Sequence, residues 1–195
     1  MRIIILGGFL GSGKTSLLIR LAAQFTEKGQ NVAIIVNESG SSGVDGETLK
    51  QRGYDSYELP EGCICCTLAG SLQDTIRQIE KERSPDVIII EPTGLAMPGK
   101  VKEMAEQTGA GEEKDIVIGI ADVQRFKDLI KKREGFFVEQ MKGSDFILIN
   151  KSDLAGPGDM ESAMAWLSER FPETEVIPVS VKTGENLGRV YELMA

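Results

Sequence analysis

The segment Gly8-Phe9-Leu10-Gly11-Ser12-Gly13-Lys14-Thr15 constrains this chain more than any other. It reads G-x-x-x-x-G-K-T, follows the apolar run Ile3-Ile4-Ile5-Leu6, and precedes a long stretch with apolar residues at helical spacing. Strand, glycine turn and helix in that order form a cradle in which backbone N–H groups and a helix N-terminus face phosphate oxygens. In such a P-loop Lys14 reaches the β- and γ-phosphates and the Thr15 hydroxyl takes one position on Mg²⁺. A merely glycine-rich turn would need neither the strand before it nor the helix after it.

The rest of the chain repeats that alternation. Continuous apolar runs at Asn31–Val36, Asp86–Ile90, Ile116–Ala121, Asp145–Ile149 and Glu175–Val179 read as strands covered on both faces, and Tyr54–Leu59 as a shorter one. Between them, helical spacing marks 14–28, 68–84, 98–107, two stretches around Phe126–Ile130 and Phe136–Met141, 159–170 and 185–194. The pattern predicts an α/β fold with a mostly parallel central sheet and helices on both faces. At 195 residues it needs only one core, able to bury about 70% of the unfolded surface.

Charge narrows the partners. With 22 basic against 30 acidic residues the net charge is −8, which disfavours a sequence-independent grip on nucleic acid or anionic lipid. The cluster Lys131-Lys132-Arg133 is too short to change that and reads as a solvated helix face. No apolar stretch approaches the roughly 18 residues needed to span a bilayer, so a cytoplasmic protein is expected.

Acids stand where a nucleotide–Mg²⁺ site would use them. The third buried strand ends in Glu91, followed by Pro92-Thr93-Gly94. At the carboxyl edge of the sheet, beside the P-loop, such an acid holds Mg²⁺ or a water on it, and Gly94 can offer its N–H to a γ-phosphate. The glycine-rich segment from Asn37 to Glu47 carries Glu38, Asp45 and Glu47 and follows the second strand. It reads as a loop that senses the γ-phosphate, against the plainer reading of a solvated connector.

All 3 cysteines, Cys63, Cys65 and Cys66, fall together on a turn before a helix, and histidine is absent. That is no disulfide framework; it resembles a thiolate metal site in a reducing compartment. Three thiolates fill three corners of a Zn²⁺ tetrahedron and leave the fourth for water, for Glu38 or Glu61, or for a ligand from another protein. Soft thiolates suit Zn²⁺, Cu(I) or Co²⁺. Buried, reduced packing cysteines are the alternative.

The strand ending at Ile149 runs into Asn150-Lys151-Ser152-Asp153. N-K-x-D at a strand end suits guanine: the Asp carboxylate accepts from the ring N1–H and the exocyclic amine, and the Lys stem covers the base. Ser180-Val181-Lys182 after the last strand would back the base.

Together these segments resemble the CobW/HypB/UreG group of P-loop GTPases, most closely its CobW branch of nucleotide-dependent metal chaperones. The likeness is carried by Gly8–Thr15, Asn37-Glu38 with Gly40, Gly43 and Asp45, Gly62-Cys63-Ile64-Cys65-Cys66, Glu91-Pro92-Thr93-Gly94-Leu95-Ala96 with Pro98, and Asn150–Asp153. Three departures accompany it. The chain stops where CobW-type proteins commonly continue into a further C-terminal domain, so 1–195 is expected to be a single GTPase domain. Ser41 stands where an acid is expected after Asn-Glu-x-Gly, and the usual histidine tracts are missing.

The resemblance implies a SIMIBI-class GTPase that binds GTP or GDP with Mg²⁺. Gly8, Gly11, Ser12, Gly13, Lys14, Thr15 and Ser16 would then hold the phosphates, and Asn150, Lys151, Asp153, Ser180, Val181 and Lys182 the base. Lys14, Asp45, Glu91 and Gly94 would carry hydrolysis, with Thr15, Asp45 and Glu91 around Mg²⁺. Cys63, Cys65 and Cys66, with Glu38 as a further candidate, would hold Zn²⁺ or Co²⁺ for a client metalloenzyme or corrinoid protein. A homodimer formed across the nucleotide face is also implied. Two other readings stand beside this one: a GTPase serving a corrinoid or nickel enzyme with structural cysteines, and a small-molecule P-loop kinase. The kinase would leave N-K-x-D and the cysteines idle. Replacing Lys14 by Ala is expected to abolish GTP turnover, measured as phosphate release; full activity in that variant would overturn the assignment.

Overall fold

Why the first strand forms is plain from its burial: Ile3, Ile4, Ile5 and Leu6 are all inaccessible to solvent, as a central strand of a two-sided sheet requires. In the computed structural model, which describes residues 1–37, 49, 53–59, 67–110 and 115–194, the strands are β1 (Arg2–Gly8), β2 (Val32–Asn37), β3 (Asp55–Leu59), β4 (Val87–Glu91), β5 (Ile116–Asp122), β6 (Phe146–Asn150) and β7 (Glu175–Pro178). They form one sheet in the order β3-β2-β4-β1-β5-β6-β7. Every pairing among the described residues is parallel. The helices are α1 (Lys14–Glu27), α2 (Thr67–Arg83), α3 (Pro98–Glu106), α4 (Val123–Met141), α5 (Asp159–Arg170) and α6 (Leu187–Leu193).

Alternation along β1 assigns the faces. Ile4 and Leu6 pack with Leu17, Leu18 and Leu21 of α1 and Val190 of α6, while Ile3 and Ile5 pack with Leu72 and Ile76 of α2 and Val101 of α3. Further along that second face, Phe126 and Phe137 of α4 and Leu167 of α5 cover Ile147 and Ile149. Among the described residues no helix is long and apolar enough to cross a membrane.

Parallel strands all deliver their carboxyl ends to one edge, and this is what assembles the site. The neighbours of β1 are β4 and β5, so the P-loop leaving β1 lies between Glu91 at the end of β4 and Asp122 at the end of β5. Asp122 is in turn opposite Asn150 of β6.

Boundaries differ from expectation in a few places for physical reasons. β1 runs on through Gly7 and Gly8, paired with Gly119 and Ile120; a Cβ on Gly7 would lie 2.2 Å from Pro98 Cγ, so the strand passes α3 only as glycine. The two helical stretches expected around Phe126–Ile130 and Phe136–Met141 are both present, as the halves of α4 that meet at a kink at Arg133, whose φ of −146° and ψ of 36° leave the helical path. β7 ends at Pro178, one residue earlier than expected, although Val179 N–H still donates to Ile149 O of β6 at 2.8 Å. α6 begins at Leu187, two residues late, because Glu185 pairs back onto Ser180 and Asn186 takes a φ of 58°.

Leu21 lies between α1 and the sheet at 0% exposure. Leu21→Ala is expected to cost about 2–5 kcal/mol of folding stability, read by urea titration of the nucleotide-free protein.

Candidate functional site

The P-loop turns from β1 into α1 on its own backbone. Gly13, at the N-cap of α1, has φ 104° and no side-chain cap, and the first turn of α1 carries no acid. The first intrahelical bond there runs from Leu17 N–H to Gly13 O, so the N–H groups of Lys14, Thr15 and Ser16 stay open to an anion. The Ser12 hydroxyl is buried, without a partner among the described residues. An uncapped helix end beside an orphaned hydroxyl fits phosphate oxygens. The Ser16 side chain is exposed.

Lys14 runs beneath the loop at 5% exposure. Its Nζ donates to Gly8 O at 3.0 Å and Phe9 O at 3.3 Å, leaving a third donor for a ligand. Burial holds its pKa below the ordinary lysine value, and the nearby Glu91 pulls it back up. Thr15 Oγ1 donates to Glu91 Oε1 at 2.8 Å, linking α1 to the end of β4. Burial pushes the Glu91 carboxyl up, while the Thr15 bond and the Lys14 charge draw it down. A hydroxyl and a carboxylate in contact offer the hard oxygen pair that Mg²⁺ takes.

The turn after β4 leans on the tip of this loop. A Cβ on Gly94 would lie 2.7 Å from Leu10 N, and among the described residues the Gly94 N–H has no acceptor. Its carbonyl is held instead from α4: Gln140 Nε2 donates to Gly94 O at 3.0 Å and to Ala96 O at 3.2 Å.

Asn150 fastens the opposite end. Its Nδ2 donates to Ser12 O at 2.8 Å, and its Oδ1 accepts from Lys151 N at 2.8 Å and Val181 N at 3.0 Å. The side chain expected at the base is therefore spent on backbone, and the Val181 N–H is spent on that side chain; among the described residues Lys182 N–H stays open. Lys182 O accepts from Arg20 Nη2 at 3.0 Å. Asp153 is exposed and accepts from Ser180 Oγ at 2.7 Å through Oδ1, so Oδ2 is left for a ligand. Ser180 Oγ in turn accepts from Thr183 N at 3.1 Å.

Lys151 has a left-handed φ of 69°, and its Nζ meets Asp122 Oδ2 at 2.6 Å. The other Asp122 oxygen accepts from Gln124 N at 3.0 Å and caps α4. The sequence pattern singles out neither Asp122, the residue after the run Ile116–Ala121, nor Gln140. An acid between a buried strand and a helix start is a readable cap signal, whereas no local pattern marks Gln140. Glu38, Ser41, Asp45, Glu61, Cys63, Cys65 and Cys66 lie outside the described residues.

Asp122 combines a cap with an ion pair whose side chains are 6% and 29% exposed. Asp122→Ala is expected to lose both and destabilise the protein by about 1–3 kcal/mol. Asp122→Asn keeps the cap and should lose less, the two being compared by urea titration.

A model of the family described as CobW/HypB/UreG, nucleotide-binding domain, matches residues 2–178. The zinc chaperone YeiR of Escherichia coli is 30% identical over 172 residues, which cover 87% of this chain and 52% of YeiR. The zinc-regulated GTPase metalloprotein activator 1 of Schizosaccharomyces pombe is 30% identical over 162 residues, 78% of this chain and 39% of that protein. The chain thus spans about half or less of these relatives' own lengths. Among solved structures, the hydrogenase maturation factor HypB of Archaeoglobus fulgidus superposes with a TM-score of 0.69 at 20% identity, covering 100% of this chain and 88% of HypB, a likeness of fold. With the cradle, the guanine-type loop and a family match across nearly its whole length, the chain belongs to the CobW/HypB/UreG family of P-loop GTPases, as a nucleotide-binding domain.

Proposed function

We propose that this domain binds and hydrolyses GTP and uses the nucleotide state to control a transition metal, zinc above all, held for delivery to a client protein in the cytoplasm. The observation that carries the nucleotide part is the Asn150 amide, which joins the phosphate loop at Ser12 to the base loop at Val181 and makes one rigid site of the two. The zinc part is supported by the three thiols and by the names of the two relatives above.

In this reading Asp153 accepts the guanine N1–H and exocyclic amine, the Lys182 N–H faces the base carbonyl, and the Lys151 stem lies over the ring, steadied by Asp122. Lys14 and the open N–H groups of α1 hold the phosphates. Thr15 and Glu91 hold Mg²⁺, with Asp45 completing the shell or orienting water. When bound, the ion neutralises charge on the β- and γ-phosphate oxygens. Water attacks the γ-phosphorus in line, the bond to the β-bridging oxygen breaks, and GDP and phosphate leave. Gly94 N–H donates to a γ-phosphate oxygen, so the turn after β4 distinguishes GTP from GDP.

Cys63, Cys65 and Cys66 bind the metal as thiolates, and the open fourth position suits transfer better than permanent structure. In sequence they fall between the loop bearing Asp45 and the strand ending at Glu91. Loss of the γ-phosphate therefore acts on both flanks of the thiol trio, and a second copy meeting the nucleotide face would order the same flanks. Zinc affinity measured by competition with a chelator is expected to differ at least about fivefold between the GDP-bound protein and that bound to a non-hydrolysable GTP analogue. Equal affinity in both would remove the coupling.

A further inference from the structure

Gln140 is fully buried on the second half of α4. Two carbonyls, Gly94 O and Ala96 O, converge on its Nε2, which fixes the amide with nitrogen toward the turn. Among the described residues its Oε1 has no hydrogen-bond partner, and it has no access to solvent. A side chain serving only to pack would not bring an unpaired oxygen into the interior. The turn it holds is closed on itself by Ala96 N–H to Thr93 O at 3.0 Å and sits against Leu10 of the P-loop.

The same helix also grips the P-loop tip. Arg125 Nη1 donates to Leu10 O at 3.0 Å, and Phe136 meets Phe9 edge to face at 5.3 Å. α4 therefore touches both walls between which a γ-phosphate would lie, with the bend at Arg133 separating Arg125 from Gln140.

We infer that Gln140 is a positioning residue for GTP hydrolysis: through the carbonyls of Gly94 and Ala96 it sets the turn after β4 so that the Gly94 N–H meets the γ-phosphate. This rests on the reading of Gly94 given under Proposed function. Gln140 touches neither substrate nor ion; its effect passes through the backbone it holds. GDP lacks the group that the turn senses, so GDP binding is indifferent to Gln140 while GTP binding and turnover are not.

Gln140→Met keeps the volume and removes both donors; Gln140→Asn keeps the amide but withdraws it by one methylene. Both are expected to hold GDP within about twofold of wild type, to lose about tenfold in affinity for a non-hydrolysable GTP analogue, and to lose about tenfold in kcat, with the melting temperature in GDP lowered by a few degrees for the two lost hydrogen bonds. Wild-type kcat and analogue-to-GDP ratio in Gln140→Met, or equal loss for both nucleotides, overturns the inference. Gly94→Ala, whose Cβ would press on Leu10 N, separates the two readings. If it collapses the ratio and the Gln140 variants do not, Gln140 has no positioning role; if it leaves the ratio unchanged, Gly94 is not the sensor. Should both Gln140 variants fail to fold, hydrogen exchange at Ala96 in the wild-type protein decides. Slow exchange in GDP, slower still in the GTP analogue, supports a held turn, and fast exchange in both overturns it.

Discussion

One buried carboxamide holds the nucleotide-binding edge together. Asn150, 3% exposed, pairs with backbone from the P-loop, from its own turn and from the loop after β7. Each of those backbone groups would otherwise be buried unpaired or would have to turn toward solvent, at about 1–3 kcal/mol apiece. The amide also accounts for a glycine in the motif: a Cβ at Gly13 would lie 2.2 Å from Asn150 Nδ2. What reads in sequence as a phosphate requirement is equally a requirement of the staple. Phosphate end and base end are thereby one object, and the order of strands makes it possible by bringing β6 to β5 and β5 to β1.

The charges at this edge fit a ligand that arrives rather than a folded core content without one. Lys14 and Glu91 are both drawn toward their neutral forms by burial and only partly restored by each other. In the proposed function a nucleotide would bring negative charge to Lys14 and its metal positive charge to Glu91. Binding is then a folding term as well, since a ligand that meets only the native state stabilises it. α4 adds the mechanical side: its two halves are fastened to different loops, so the bend at Arg133 lies on the path between them.

Much of this was legible from residue order because it is local. The strand–glycine–helix passage at Gly8–Thr15, the acid closing β4 and the N-K-x-D turn each carry their chemistry within a few residues, and the alternation of apolar runs gave the α/β sheet. Contacts between distant parts were not legible. Nothing near Asn150 announces Ser12, 138 positions away, and nothing near Gln140 announces Gly94, 46 away. Asp122 lies between these cases: its cap on α4 is local, and its pairing with Lys151 depends on β5 and β6 lying side by side. The bend in α4 falls between the two helical stretches that the apolar spacing marks, at Arg133.

Pro178 closes one direction of growth. β7 lies at the rim of the sheet, spans only Glu175–Pro178, and ends in a residue unable to donate to a neighbouring ladder. A free strand edge is a template on which a foreign chain can polymerise; a short one stopped by proline is a poor template. On that flank β7 offers an incoming strand few backbone donors, so edge-to-edge pairing there is disfavoured.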